Sequence, residues 1–294
     1  MDAKLRVNYP PNPNPSKPRL KAPPGSWDTH FHVYGPPQVF AYSEQRRYTP
    51  PTAPVEHWLN LANWLGIERG VMVQPSVHGT DTAITIDAIE KSDGRLRGMI
   101  RADARLSADE VRRLHAAGVR GLRFPFAAKV RGAWDHDAFY RNITRVEPVS
   151  WVIDLQLDGD MLERHAELIR KVPLPTVIDG FGGVEPRGGL DQPAFRVLLD
   201  LLGEKHIWLK LIGADRHIRE DTSYEDVVAM SRAVIAKAPD RMIWGTDWPH
   251  SEVWQLGRMT DDGKLLDMLL DFAPDEAVRN KILAANPQKL FGFD

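Results

Sequence analysis

The sequence predicts an α/β fold, specifically a (β/α)8 barrel of the TIM type, on two observations. Short apolar runs with β-forming residues recur eight times along the chain. Most of them are separated by stretches with helical periodicity, and this alternation favours a parallel sheet that closes into a barrel. The eight predicted strands are Trp27 to Val33, Gly70 to Gln74, Leu96 to Arg101, Val119 to Phe124, Trp151 to Leu157, Thr176 to Asp179, Ile207 to Ile212 and Met242 to Asp247.

Helices are indicated between the strands by apolar residues at helical spacing. Ser107 and Glu110 additionally stand at capping-box spacing before one such stripe. After the eighth strand the pattern predicts two helices in succession. The clearest helical stretches are 55–65, 107–114, 195–201, 227–234, 265–272 and 277–285.

The first 24 residues differ from the rest because they carry prolines at 10, 11, 13, 15, 18, 23 and 24. Proline lacks a backbone donor and fixes φ, so we expect an extended N-terminal arm on the surface, without regular structure. The remaining chain, 25–294, is predicted to form a single barrel domain.

Composition excludes several classes of function. The 38 Lys and Arg residues are balanced by 40 Asp and Glu residues, for a formal net charge of −2, so we expect no nucleic-acid partner. Cysteine is absent, which excludes disulfides, thiolate metal sites and cysteine nucleophiles. The sequence shows no long apolar span, so we expect a soluble cytoplasmic protein without a membrane partner. The composition leaves the oligomeric state open, including a homo-oligomer.

Active sites of such barrels form at the C-terminal ends of the strands. His30 and His32 share one face of the first strand with Asp28, because residues two apart on a strand point the same way. Asp247 closes the eighth strand, next to the first in a closed barrel. Two imidazoles and a carboxylate that converge in this way can bind a metal or act on a substrate carbonyl.

Several other candidates also have plain structural explanations. Arg123 serves equally well as a carboxylate clamp or as a salt bridge that holds a loop. Lys210 is expected to be neutralised by its neighbours, and His78 is a candidate cap for the next helix. Trp248 directly follows Asp247 and is expected to wall the pocket. The basic residues Lys91, Arg95, Arg97 and Arg101 are interpreted as a solvated loop and strand rim.

Four motifs together resemble the amidohydrolase superfamily. Within it, the chain is most similar to the 2-pyrone-4,6-dicarboxylate lactonase branch, with sulfomuconolactone hydrolases and galactarolactone isomerase nearby. The resemblance runs from Pro24 to Pro287 and supports the barrel. Its motifs are Asp28-Thr29-His30-Phe31-His32, Gln74-Pro75-Ser76-Val77-His78-Gly79-Thr80-Asp81, Gly121-Leu122-Arg123-Phe124 and Trp244-Gly245-Thr246-Asp247-Trp248-Pro249-His250.

The resemblance implies roles for the matching residues. His30 and His32 would orient the lactone carbonyl and the water, and Asp247 would be the general base. Arg123 and Arg216 match arginines that grip a substrate carboxylate. The remaining residues predicted to bind substrate are His78, Lys129, Gln156, Trp248 and His250.

Departures from the family pattern bear on the substrate. Gly180 follows Asp179 where the superfamily normally has histidine, and Gln156 takes the strand-five position of another histidine or of a tyrosine. A further arginine of the dicarboxylate pocket aligns with Lys129 or is replaced in space by Arg131. The pyrone dicarboxylate itself is therefore not the expected substrate.

The same departures bear on cofactors. Zinc catalysis commonly uses three protein ligands, which His30, His32 and Asp247 would supply. The histidines of strands five and six that complete many amidohydrolase metal sites are absent here, so the sequence favours a metal-free site, with zinc as the alternative. Without metal, Asp247 would need burial and a pKa tuned toward neutrality to deprotonate water.

The leading hypothesis is a hydrolase that opens the ring of a small anionic lactone from aromatic or sugar-acid breakdown. One alternative is a lactone isomerase, in which a substrate hydroxyl replaces water. The other is a catalytically silent ligand-binding protein that lost activity with the strand-six histidine.

Overall fold

The protein is a barrel of eight parallel strands whose neighbours follow one another along the chain, which confirms the predicted architecture. The computed structural model describes residues 5–101, 106–126, 135–218, 222–255 and 257–292. Two further short strands, β1 Arg6–Val7 and β3 Tyr48–Thr49, pair with each other outside the barrel. The barrel strands are β2 Trp27–Phe31, β4 Arg69–Val73, β5 Leu96–Arg101, β6 Val119–Pro125, β7 Val152–Gln156, β8 Thr176–Asp179, β9 Ile207–Leu211 and β10 Met242–Trp244.

Helices follow the barrel strands and bury their apolar stripes. Ser107 Oγ accepts a hydrogen bond from the Glu110 backbone N–H (3.2 Å), but the Glu110 carboxylate binds Arg113 instead of completing the capping box. The predicted helix at 277–285 is interrupted by a π-helical turn, Lys281–Ala285. The helices are α1 Val55–Leu65, α2 Ala83–Glu90, α3 Ala108–Ala116, α4 His136–Val146, α5 Gly159–Arg170, α6 Pro193–Leu201, α7 Tyr224–Lys237, α8 Asp262–Phe272, α9 Glu276–Asn280 and α10 Asn286–Phe291.

The barrel closes where β2 meets the segment that follows β10. The Asp247 N–H donates to the His30 carbonyl (2.8 Å), and the His32 N–H donates to the Trp248 carbonyl (2.7 Å). The eighth strand ends at Trp244, earlier than predicted, because Asp247 has a φ of +60° and a left-handed residue cannot continue a regular ladder. The catalytic candidates therefore form the closing hydrogen bonds themselves.

Asp28 fastens the same junction from within the protein. It is buried, and its carboxylate accepts hydrogen bonds from Trp58 Nε1 (2.9 Å) and from the backbone N–H (2.9 Å) and hydroxyl (2.7 Å) of Thr246. The His30 N–H also donates to it, at 3.1 Å. Asp28 thus connects helix α1 to the segment that follows β10. Its side chain does not line the pocket, unlike that of His32.

The N-terminal arm reaches the active-site end of the barrel. Its short strand Arg6–Val7 departs from the expectation of no regular structure, because the prolines begin only at residue 10. Asn8 Oδ1 accepts from the Val253 N–H (2.8 Å), and the Tyr9 N–H donates to the Val253 carbonyl (3.1 Å). The arm therefore holds the loop after Asp247. Among the described residues, no helix is both long and apolar enough to cross a membrane.

Asp28→Ala should lower the free energy of unfolding by about 3 kcal/mol or more, because it leaves buried donors of three residues without an acceptor. The control Trp58→Phe removes one donor and keeps the carboxylate, so it should cost less. Urea unfolding followed by tryptophan fluorescence and circular dichroism measures both. A loss below about 1 kcal/mol for Asp28→Ala would contradict the role given to Asp28.

Candidate active site

A pocket of about 410 Å³ opens at the C-terminal ends of the barrel strands. This volume suits a small molecule. The structure places half of the predicted site residues on the pocket wall, together with one residue that the sequence analysis assigned elsewhere. The predicted residues on the wall are His32, Arg123, Gln156, Arg216 and Asp247, and the addition is Arg101.

His30, His32 and Asp247 converge as the sequence predicts. Asp247 Oδ1 lies 3.6 Å from His30 Nε2 and 3.5 Å from His32 Nε2. The two imidazole rings meet edge to face, with centroids 5.0 Å apart. His30 is fully buried and Asp247 keeps a side-chain exposure of 13%, so the carboxylate is the part of the group open to the pocket.

His32 has a defined proton arrangement. Its Nδ1 lies 2.7 Å from the Val73 carbonyl oxygen, and a carbonyl can only accept a hydrogen bond. The Nδ1 atom therefore carries the proton, and in the neutral ring Nε2 has the lone pair. His32 Nε2 and Asp247 Oδ1 are then two proton acceptors side by side.

Asp247 is paired with Arg216, whose Nη2 atom lies 2.5 Å from Asp247 Oδ2. Burial raises the pKa of Asp247, but the Arg216 guanidinium outweighs burial and holds this pKa well below its ordinary value. This is opposite to the near-neutral pKa expected from the sequence. Asp247 is consequently ionised and a weak base in the ligand-free protein.

An inner charge cluster surrounds these residues. Arg123 lies 3.1 Å from Asp179 and 3.5 Å from Asp154, so the salt-bridge interpretation of this arginine is present in the structure. Lys210 is fully buried and pairs with the same two aspartates, which neutralise it as expected. The members of the cluster are Arg101, Arg123, Lys210 and Arg216 with Asp154, Asp179 and Asp247.

Four cations thus meet three carboxylates in the inner charge cluster. Burial and the neighbouring Asp179 raise the pKa of Asp154 to about 7, so the surplus is at least one positive charge. Three further acidic residues line the pocket outside this cluster: Asp158, Glu185, whose Oε2 lies 3.3 Å from His217 Nδ1, and Glu252, which pairs with Arg47. The positive charge thus belongs to the inner charge cluster and not to the whole pocket wall.

Arg101 is the cation without a counter-charge. It ends β5 and lines the pocket, and no carboxylate of the described residues forms an ion pair with it. Burial, followed by the nearby Arg123, lowers the pKa of Arg101 to about 10, which still leaves it charged. The sequence analysis placed Arg101 on a solvated rim, although it stands in register with Arg123 on the neighbouring strand.

Three predicted substrate-binding residues are buried away from the pocket wall. His78 Nδ1 bonds the Ala41 carbonyl (3.2 Å), and it does not cap α2. Trp248 bridges to Phe31 at the barrel closure and packs in the core. His250 Nε2 lies 3.0 Å from Asp262; burial lowers its pKa, but Asp262 raises it more. Two other candidates, Lys129 and Arg131, lie outside the described residues.

Gly180 begins an unusual turn on the pocket wall. Its φ is +47°, and Phe181, Gly182 and Gly183 follow with φ of +57°, +63° and +72°. A Cβ at position 180 would lie 3.5 Å from the nearest backbone atom, the Ile212 carbonyl oxygen, which is ordinary contact. Backbone conformation therefore favours glycine here, in addition to the space that glycine leaves in the pocket.

Two overlapping groups offer ligands suited to a metal ion. The first is His30, His32 and Asp247, and the second is His30, Asp154 and Asp179; within each, the ligand atoms lie within 4.8 Å of one another. In the second group, the Lys210 ammonium contacts all three residues, so a cation is already in place. The first group fits zinc by ligand type and number.

Comparison with known proteins identifies the family. A family model described as amidohydrolase matches residues 27–293, so the chain belongs to the amidohydrolase family, in agreement with the resemblance carried by its motifs.

Its similar relatives include enzymes named for lactones and related esters. A 4-sulfomuconolactone hydrolase of Rhizobium radiobacter is 47% identical over 271 residues, 92% of this chain and 91% of that protein. A 2-pyrone-4,6-dicarboxylate hydrolase of Comamonas testosteroni is 33% identical over 95% of this chain and 93% of its own length. A D-galactarolactone isomerase of Agrobacterium fabrum is 31% identical, with coverage of 95% and 93%.

Solved structures agree with the fold. A crystal structure of an Agrobacterium tumefaciens protein is 30% identical and superposes with a TM-score of 0.83, over 94% of this chain and 99% of that one. The barrel and the family are thus supported independently of the site geometry.

Gly180→His should weaken the binding of the physiological substrate, with a rise in KM that corresponds to about 1 kcal/mol or more, because the imidazole occupies space in the pocket. Gly180→Ala is the matched control, since it imposes a similar left-handed strain of about 1 kcal/mol without the ring. Steady-state kinetics and urea unfolding of both variants separate the two effects. An unchanged KM with a faster kcat in Gly180→His would instead indicate a lost catalytic histidine.

Proposed function

We propose that the protein is a hydrolase that opens a small anionic lactone, with Asp247, His30 and His32 at the reacting carbonyl. The single observation that carries the proposal is the pair of proton acceptors, His32 Nε2 and Asp247 Oδ1, 3.5 Å apart, in a pocket beside a positive inner charge cluster. Acceptors of this kind activate water, and positive charge at a pocket concentrates an anion.

The reaction follows from the positions of these groups. A water held by the two acceptors adds its oxygen to the lactone carbonyl carbon and gives its proton to Asp247 or His32. His30 Nε2, buried and without a hydrogen-bond partner among the described residues, faces the same point and donates to the carbonyl oxygen as it gains negative charge. The ring C–O bond then breaks, and the leaving oxygen takes up the proton.

The low pKa of Asp247 limits which esters can react. A carboxylate stabilised by Arg216 is a modest base, so the ring must be an activated ester such as an enol lactone. The relatives named for sulfomuconolactone fit this class. Because that substrate is named as a sulfonate, we favour a lactone with a sulfonate or a carboxylate on the ring, bound by Arg101 and flanked by Arg123.

We propose that this reaction does not require a metal. A zinc ion, if bound, would be held by His30, His32 and Asp247 and would lower the pKa of its bound water. Against this, Arg216 already neutralises Asp247, and a divalent ion would add charge to a cluster that is positive without it. The residues of the chain thus provide the charge compensation themselves.

A lactone isomerase is the second candidate, favoured by the 31% identity to D-galactarolactone isomerase. A substrate hydroxyl would take the place of water between the same acceptors. For either reaction, we place the enzyme in the cytoplasm and in the breakdown of aromatic or sugar acids, supported by the absence of cysteine and by the names of the relatives.

In water enriched in ¹⁸O, the product of a sulfonated or carboxylated enol lactone should carry one ¹⁸O atom, detected by mass spectrometry. Asp247→Asn should reduce kcat by about 10²- to 10⁴-fold, because the amide cannot accept a proton, while Kd stays within about tenfold. Turnover without label would support the isomerase. Tight binding without turnover in the parent protein would support the silent binding protein.

Arg101→Met should raise KM for an anionic lactone by about tenfold or more, because a charge-assisted pair contributes about 1.5 to 3 kcal/mol. The neutral methyl ester should be affected little, and the charge-preserving control Arg101→Lys should lose less than Arg101→Met. Arg101 suits this test better than Arg123, whose removal would also take one ion-pair partner from each of Asp154 and Asp179. Equal losses on the acid and on its ester would assign Arg101 to a structural role.

A further inference from the structure

Lys210 is the cation of the inner charge cluster to which the proposed reaction assigns no part. It lies in β9 and is fully buried in the barrel. Its Nζ atom hydrogen-bonds to Asp154, lies 2.8 Å from Asp179 Oδ1 and lies 3.2 Å from His30 Nδ1. A pure counter-ion for two aspartates would not need the third contact.

The contact with His30 defines where the imidazole proton sits. Burial lowers the pKa of Lys210, but Asp154 and Asp179 outweigh it and raise this pKa above its ordinary value. The Lys210 ammonium, held between two carboxylates, lies 3.2 Å from His30 Nδ1, and an ammonium has only protons to offer. The Nδ1 atom must accept, so the ring proton is on Nε2.

We propose that Lys210 is a positioning residue that fixes His30 as the Nε2–H tautomer, so that His30 donates a hydrogen bond toward the reacting oxygen and cannot serve as a metal ligand. The competing acceptor is Asp179, whose Oδ1 lies 3.6 Å from His30 Nδ1. Without the ammonium, Asp179 would accept a hydrogen bond from a protonated Nδ1, and the lone pair of the ring would then be on Nε2.

The reversed tautomer would change the site in a specific way. A histidine binds metal through an unprotonated ring nitrogen. His32 Nε2 already has its lone pair, because His32 Nδ1 donates to Val73. Loss of Lys210 would therefore complete a set of three ligands with Asp247. The tautomer itself is independent of the reaction, and only its catalytic consequence rests on the proposed function.

The test compares the parent with the double variant Lys210→Met, Asp154→Asn, which removes one cation and one carboxylate together so that no aspartate loses its only partner. The matched control is Asp154→Asn alone, which keeps the contact between Lys210 and His30. Circular dichroism and thermal melting check that each variant folds. Histidine ¹⁵N NMR assigns the tautomer, with the His30 signals identified by their absence from His30→Gln.

In the parent and in Asp154→Asn we expect a protonated Nε2 and an unprotonated Nδ1 on His30, and no stoichiometric zinc after exhaustive chelation. In the double variant we expect the reversed pattern and, by calorimetry, tighter zinc binding than in the parent and in Asp154→Asn. With an anionic lactone, kcat of the double variant should fall by about 10²-fold or more, with little change in KM.

A parent His30 that carries its proton on Nδ1, a double variant with an unchanged tautomer, or a parent that retains one zinc per chain through chelation would each overturn the proposal. If the parent hydrolyses no lactone but shows the expected tautomers and metal binding, the proposed function fails and the role of Lys210 stands.

Discussion

The hydrogen bonds that join β2 to the segment after β10 are the constraint on which the rest of the structure depends. These bonds close the barrel and are made by the backbones of His30, His32, Asp247 and Trp248. The hydrogen bonds from Thr246 to the Asp28 carboxylate stabilise the same junction. Fold and site therefore share one set of contacts. Any shift of this junction changes the distances between the catalytic groups, so stability and activity are coupled here more tightly than elsewhere in the barrel.

The charged residues of the site fall into ion pairs that serve different purposes. Asp154 and Asp179 form ion pairs with Lys210 and Arg123, and Asp247 forms an ion pair with Arg216. Buried charges of this kind are costly unless each has a partner, and Arg101 alone has no acidic partner among the described residues. An anionic ligand would complete the balance. Selectivity for an anion is thus a property of the whole cluster and not of a single arginine.

Much of this could be predicted from the sequence, because strand periodicity determines which side chains reach the barrel mouth. The prediction from strand periodicity is correct for His32, Arg123 and Gln156, which lie at or near the C-terminal ends of barrel strands and line the pocket. It fails beyond Asp247, where positive φ values at Asp247 and His250 redirect the chain. The low pKa of Asp247 could not be predicted from the sequence either, because it depends on Arg216, which comes from another loop. The spacing of residues along one strand carries no information about that contact.

The N-terminal arm has a consequence for how the protein is made. Asn8 is synthesised well before its partner Val253, which follows 245 positions later. Likewise, His30 cannot meet Asp247 until the last barrel strand has been translated. A nascent chain on the ribosome therefore has no assembled catalytic centre. Its early segments expose apolar surface until the last barrel strand has been made. Demand for chaperones should accordingly be greatest just before the eighth strand emerges.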